Sequence, residues 1–267
     1  MARIRYLAVL SREPESLADF YVRYFGLKEL GRTAEGDVTL TDGGFNVTLF
    51  RHRPELGEMR MEIGLHHLGI AVKSIDEVVA RYLELYPRGT VIEESGGLAR
   101  GEVRIHDPEC NPVSLSELNF GLDAEPVERT PRIAHIALNA LVPEMVEEFY
   151  MKLFGYPELW AAHAKRREEP GYRNRHVGDG HTNVAIQAFH SDDEGFEPRF
   201  GIAHMGFLLA DSKTLAHDIR DVATVTKRPA IRTQSEIRMR DPEGNGCDLS
   251  QRGWEVDLDK WVRADAQ

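Results

Sequence analysis

The sequence is poor in cysteine and has no long apolar segment, and both absences exclude classes of protein. Only two cysteines occur in 267 residues, Cys110 and Cys247, which is too few for a disulfide framework or a cysteine metal site. The longest apolar runs are strand-sized, such as residues 133–138, far below the roughly 20 residues that cross a bilayer. The N-terminus has no apolar core of the kind found in signal peptides. We therefore expect a cytoplasmic protein with two reduced thiols.

Positive charge is also scarce. Lysine and arginine total 33 against 44 for aspartate and glutamate, which gives a formal net charge of -11. An acidic protein repels phosphate backbones and anionic headgroups, so nucleic acid and membranes are not expected partners. Hydrophobic residues make up 42% and charged residues 29% of the chain, as in globular proteins of one or two domains. A homo-oligomer is compatible with this composition.

Internal repeats are the most informative feature that is present. Residues 20–30 match residues 149–159 in Phe, Tyr, Phe, Gly, Glu and Leu at a constant spacing of 129. Two further pairs of segments match at similar spacings: 64–69 with 201–206, and 104–111 with 238–245. Repeats on this scale indicate a duplicated structural unit. We predict an N-terminal domain over 1–122, a polar linker over 123–131, a C-terminal domain over 132–253 and a tail over 254–267.

Each half divides again into two modules. Every module opens with a short apolar strand, continues into an amphipathic helix, and ends in strands separated by turns. Proline near the start and glycine at the end delimit two helices, Pro14 to Gly26 and Pro143 to Gly155. The other two helices are predicted to begin at Ser74, which forms a capping box with Glu77, and near Asp211. The order β-α-β-β-β therefore occurs four times.

This arrangement resembles the vicinal oxygen chelate superfamily, which includes glyoxalases, bleomycin-resistance proteins and extradiol dioxygenases. The resemblance rests on the four modules, on histidines in three of the opening strands, and on the Asp-Pro-Glu-Xaa-Asn turns over 107–111 and 241–245. The single-chain, four-module layout is similar to that of type I extradiol dioxygenases. It implies an α+β fold in which pairs of modules form two cup-shaped mixed sheets, with a metal and substrate inside a cup.

The resemblance also implies a ligand set in the C-terminal half. His135 and His204 lie in opening strands, and Asp248 lies in the last strand of module four. Two imidazoles and a carboxylate suit a divalent metal, Fe(II) or Mn(II), with open positions for substrate and oxidant. The family usually has Glu where Asp248 stands. The fourth candidate position falls near Ala185, which cannot bind metal.

The N-terminal half does not have an equivalent set. It offers Tyr6, Thr48, His67 and Ser114 at the matching positions. A single imidazole among hydroxyls is a poor metal site. We therefore expect this half to be a structural or substrate-shaping copy without a metal.

Two further residues are candidate catalytic groups. His181 lies close to the place where ring-cleaving relatives hold an acid/base histidine, although a histidine in a surface turn is the simpler interpretation. Arg238 replaces the tyrosine usual in those relatives. It either points into the cup to bind an anionic or enolate-like substrate, or faces solvent like its counterpart Arg104. The basic segment 161–176 is either a solvated hairpin or a lid over a carboxylate-bearing substrate.

The predicted function is that of a metal-dependent oxidoreductase most like an extradiol dioxygenase. Its partners would be dioxygen and a small substrate with adjacent oxygens, aromatic or anionic. Two alternatives remain open at this point. One is a glyoxalase-like lyase or isomerase, and the other is a metal-free, drug-binding protein of the bleomycin-resistance type.

Overall fold

The computed structural model of the protein describes residues 2–54, 62–94, 100–122, 129–159, 173–189, 200–227 and 235–254. Most of the predicted linker 123–131, of the basic segment 161–176 and of the tail 254–267 lies outside the described residues. The predicted domain boundaries therefore stay a prediction.

The first half contains two modules of the predicted order. Their elements are β1 (Arg3–Ser11), α1 (Pro14–Phe25), β2 (Lys28–Arg32), β3 (Val38–Thr41), β4 (Asn46–Arg51), β5 (Gly64–Ala71), α2 (Ile75–Leu85), β6 (Ile92–Glu93), β7 (Val103–His106) and β8 (Pro112–Ser116). A short 3-10 helix over Asn119–Gly121 follows the last strand.

The second half repeats this order with one difference. Its elements are β9 (Arg132–Ala140), α3 (Pro143–Phe154), β10 (Arg175–Gly178), β11 (Asn183–Ala188), β12 (Gly201–Leu208), α4 (Ser212–Asp218), β13 (Thr224–Lys227), β14 (Ile237–Arg240) and β15 (Gly246–Ser250). Among the described residues, the counterpart of β2 is an isolated bridge between Glu158 and Val177.

The strands form two mixed sheets, one in each half. Their orders are β2-β3-β4-β1-β5-β8-β7-β6 and β10-β11-β9-β12-β15-β14-β13. In each sheet the opening strands of two modules pair antiparallel at the centre, and each opening strand pairs parallel with the last strand of its own module. The predicted α+β architecture of paired, cup-shaped modules is confirmed.

The repeated helix ends have the expected local causes. Both α1 and α3 carry proline in the first turn, where its missing N–H is not needed. Gly26 and Gly155 end these helices in the left-handed conformation, with φ of 63° and 71°, which an L side chain rarely adopts. Ser74 caps α2 by accepting from the Glu77 N–H, and Asp211 caps α4. Within the described residues, no helix is long and apolar enough to cross a membrane.

The apolar faces of both sheets and of the long helices merge into one core. A single cluster of buried residues runs from Ile4 in β1 to Leu249 in β15. Helix α1 packs on β3 and β4 of its own sheet and also reaches the other half, where the ring centroids of Phe25 and of Phe207 in β12 lie 4.3 Å apart. The two sheets are thereby held against each other by shared apolar burial.

Candidate active site

Four of the predicted site residues lie side by side on the C-terminal sheet. Strand pairing places His135, Gly206, Asp248 and Arg238 in one row across β9, β12, β15 and β14. His204 stands two residues before Gly206 on β12 and therefore on the same face. We call His135, His204, Arg238 and Asp248 the C-terminal cluster. Its members are only 1–3% exposed.

The Asp248 carboxylate binds Arg238. Arg238 donates from Nε to Oδ1 at 2.8 Å and from Nη2 to Oδ2 at 3.2 Å. The same Oδ2 lies 3.4 Å from Nε2 of His204. Arg238 therefore does not face solvent, and a buried cation neutralises the buried carboxylate.

His135 is fixed by contacts on two sides. Its Nδ1 lies 2.9 Å from the Asn183 Oδ1, and because an amide oxygen only accepts, Nδ1 is the donor in this hydrogen bond. The Trp254 ring stacks on the imidazole, with ring centroids 4.8 Å apart and an angle of 3° between the ring planes. Gly206 makes this stacking possible, since a Cβ there would lie 2.7 Å from both Trp254 and the His135 Cβ.

The C-terminal cluster fits a divalent ion in donor type but not in arrangement. The 3.4 Å between His204 and Asp248 is close to the separation of two ligands of one ion at bond lengths of about 2.1 Å. Arg238, however, holds both carboxylate oxygens and places a permanent positive charge beside any cation. Within the described ranges, no three His, Cys, Asp or Glu side chains form a group that encloses an ion. As they stand, these residues do not fit a bound metal.

His181 lies apart from the C-terminal cluster. It is in the turn before β11, where its N–H donates to the Asp179 carboxylate and its carbonyl accepts from Arg132. Burial lowers the pKa of its imidazole, although the nearby Asp179 acts in the opposite direction. It lines a small crevice with Asp42 and Arg129 rather than with the four cluster residues. Its role in proton transfer stays a prediction.

The N-terminal sheet carries the equivalent row with different chemistry. Tyr6, Gly69, Ser114 and Arg104 align across β1, β5, β8 and β7. Ser114 of β8 stands at the position of Asp248 and brings no carboxylate. Glu94 instead pairs with Arg104 and accepts from the Ser114 hydroxyl at 2.7 Å.

Sequence reasoning missed three residues that shape these sites. Asn183 orients His135, Trp254 stacks on it, and Glu94 supplies the N-terminal carboxylate. The dipeptide Asn-Val occurs at both 46–47 and 183–184, and this repeat was a usable signal for Asn183. Trp254 and Glu94 lie outside the repeated motifs, so no pattern singled them out.

A family model places the chain in a superfamily. The model of the Glyoxalase/Bleomycin resistance protein/Dioxygenase superfamily matches residues 3–113 and 132–249. The chain therefore belongs to this superfamily, and both halves carry its repeat. No curated protein matches the sequence.

Solved structures share the fold at low sequence identity. The 2,3-dioxygenase LapB from Pseudomonas sp. KL28 is 18% identical with a TM-score of 0.64, covering 97% of this chain and 94% of that one. A Mn(II)-bound glyoxalase from Novosphingobium aromaticivorans is 16% identical with a TM-score of 0.70, covering 97% and 86%. A 2,2',3-trihydroxybiphenyl 1,2-dioxygenase from Sphingomonas wittichii strain RW1 is 15% identical with a TM-score of 0.62, covering 97% and 93%.

Proposed function

We propose that the chain is an enzyme that acts on a small anionic molecule at the C-terminal cluster. The observation that carries this proposal is the row of buried ionisable side chains on the second sheet. Burying a guanidinium, a carboxylate and two imidazoles at 1–3% exposure costs several kcal/mol in desolvation even when the charges pair. Buried clusters of ionisable groups are typical of active sites, where burial and charged neighbours tune their chemistry.

The side chains suggest separate roles. Arg238 is a permanent cation that would neutralise negative charge on a carboxylate or enolate-like substrate. His204, beside Asp248, would accept or return a proton as a general acid or base. Asn183 would keep the His135 ring in one orientation.

A finer candidate is a dioxygenase that uses Fe(II) or Mn(II) on His135, His204 and Asp248. It is favoured by the 3.4 Å spacing of His204 and Asp248 and by the fold shared with proteins named as dioxygenases. The metal would supply charge neutralisation and dioxygen binding. This candidate requires Asp248 to turn away from Arg238.

The test combines elemental analysis with turnover. Protein reconstituted anaerobically with Fe(II) or Mn(II) is assayed for metal content, and for oxygen uptake and absorbance change with catechols and hydroxylated aromatic acids. His204→Ala is compared with His67→Ala, which removes the imidazole at the equivalent position of the other sheet. We expect substrate conversion to be lost in the first variant and kept in the second.

The outcomes separate the two levels of the proposal. One metal per chain, lost in His204→Ala alone, together with oxygen uptake supports the dioxygenase. Conversion without metal or oxygen uptake contradicts the dioxygenase and leaves the enzyme proposal standing. No conversion of any panel compound in any reconstituted sample contradicts the enzyme proposal, and binding that is lost in His204→Ala then favours a binding protein.

A further inference from the structure

The N-terminal sheet holds a cavity at the place that matches the C-terminal cluster. Its volume is about 260 Å³, and its lining includes Tyr6, Phe50, His67, Glu94, Arg100 and Arg104. A dry cavity of roughly 150 Å³ is sufficient for benzene. The N-terminal cavity therefore has room for an aromatic ring with a charged substituent.

Aromatic rings form the walls of this cavity. The His67 ring lies 5.7 Å from Tyr6 and 6.4 Å from Phe50, measured between centroids. Phe120 stacks on Tyr6 at 4.8 Å and 8°, with Gly69 leaving room for the contact. Tyr6 and His67 are 1% and 5% exposed, so neither ring can move far. These fixed faces suit a planar ligand.

Two guanidinium groups supply positive charge at the same cavity. Arg100 lies over the Phe50 ring at 5.1 Å and is anchored at 2.7 Å by the buried Asp37. Arg104 is held by Glu94 through Nη2, while its buried Nε–H has no hydrogen-bond partner among the described residues. Both cations are thus positioned by carboxylates while lining the cavity.

The neutral groups of the cavity do not oppose an anion. Burial lowers the pKa of the His67 imidazole well below its usual value, and the nearby Arg104 acts in the same direction. Burial also raises the pKa of the Tyr6 hydroxyl well above its usual value. At neutral pH the two side chains are therefore uncharged polar groups, and the charge of the site is set by Arg100 and Arg104 together with the carboxylates Glu93 and Glu94, which also line it.

We propose that the N-terminal cavity is a second ligand site, which binds a planar aromatic carboxylate. The ring lies against Tyr6, Phe50 and His67, and the carboxylate accepts hydrogen bonds from Arg104 and Arg100. A bidentate or charge-assisted contact of this kind is worth more than a neutral one. The site is independent of the C-terminal cluster and of any reaction there.

Titration calorimetry with benzoate tests the site, with benzamide as the uncharged analogue and acetate as the carboxylate without a ring. We expect one benzoate site per chain with a Kd of about 1 mM or tighter, and much weaker binding of both analogues. Arg104→Gln and Arg100→Gln should each weaken benzoate about tenfold or more, the effect of losing one charge-assisted hydrogen bond. Arg32→Gln, on the same sheet in the exposed strand β2, is the matched control and should change nothing.

The folded state of each variant is checked by circular dichroism and by its unfolding midpoint. Since the side chain of Arg100 is 34% exposed, its replacement gives a readout even if Arg104→Gln does not fold. His204→Ala should leave benzoate binding unchanged, so failure of the proposed enzyme function does not affect this result. Absence of benzoate binding, equal binding of benzamide, or a loss confined to Arg238→Gln overturns the inference.

Discussion

Single residues at equivalent positions in the two halves differ in ways that have chemical consequences. Asp107 and Asp241 open the two Asp-Pro turns, and each accepts from the side chain and backbone of the Asn four residues on. Tyr21 donates to Asp241 at 2.7 Å. The equivalent Tyr150 hydroxyl has no hydrogen-bond partner among the described residues. The negative charge of the buried Asp107 is therefore stabilised by one hydrogen bond fewer than that of Asp241.

This difference predicts a pH dependence of stability. Burial raises the pKa of Asp107 to about 6, so the folded state binds a proton more tightly than the unfolded state. The stability that comes from the protonated Asp107 is present in full below about pH 4 and is lost as pH rises through 6. The free energy of unfolding falls by up to roughly 3 kcal/mol over this range. Asp107→Asn should remove this loss. In urea unfolding, the free energy of unfolding of the variant should rise relative to that of the wild type between about pH 4.5 and 7.5.

The matched variant is Asp241→Asn. Burial raises the pKa of this carboxyl too, and the Tyr21 hydroxyl opposes the shift. Its replacement disturbs the Tyr21 hydrogen bond, so we expect a stability loss at every pH. Parallel pH profiles for wild type and Asp107→Asn would contradict the role given to Asp107.

At the scale of elements, each half caps a helix of the other. The N-cap residues of α1 and α3, Glu13 and Val142, make no side-chain cap. Instead, Glu243 accepts from the N–H groups of Arg12 and Glu13. Glu109 accepts in the same way from Leu141 and Val142, at 2.8 and 2.6 Å. The repeated glutamate of the Asp-Pro-Glu turn thus places a negative charge at a helix N-terminus.

Removing either glutamate should destabilise the protein by a similar amount. We expect Glu109→Ala and Glu243→Ala each to lower the free energy of unfolding by about 1 kcal/mol, as for a lost N-cap. The two effects should add in the double variant, because the sites share no partner. Glu84→Ala, an exposed position of α2, is the control for urea unfolding. A Glu109→Ala midpoint equal to that of the control would show that the cap contributes nothing.

The elements were predictable from sequence because their signals are local. Proline, glycine and Ser/Asp caps together with apolar periodicity define the helices α1 to α4, and the repeats place the opening strands. The pairing of Arg238 with Asp248 depends on the register of the β14-β15 hairpin, which local patterns do not fix. The capping by Glu109 and Glu243 was not predictable for a further reason. It joins residues of different halves, and the turn alone explained the motif.

At the scale of the whole molecule, an aspartate side chain of each half accepts a hydrogen bond from a backbone N–H of the other half. The Asp179 Oδ2 accepts from the Ile4 N–H at 2.7 Å, and the Asp42 Oδ2 accepts from the Ile133 N–H at 2.7 Å. Each half thus holds the start of the other half's first strand through a hydrogen bond. These bonds lie beside an apolar core that is continuous across both sheets.

A continuous core predicts that the two halves unfold together. Calorimetry should give one transition whose calorimetric and van't Hoff enthalpies agree, although the chain is long for two-state behaviour. Val47→Ala and Val184→Ala remove equivalent buried side chains, 1% and 0% exposed, from the two sheets. Each should leave a cavity and lower the same single midpoint by several degrees, because neither half keeps its core when the other opens. A second transition, or a shift of only part of the heat-capacity peak in one variant, would mean that the halves fold as independent domains.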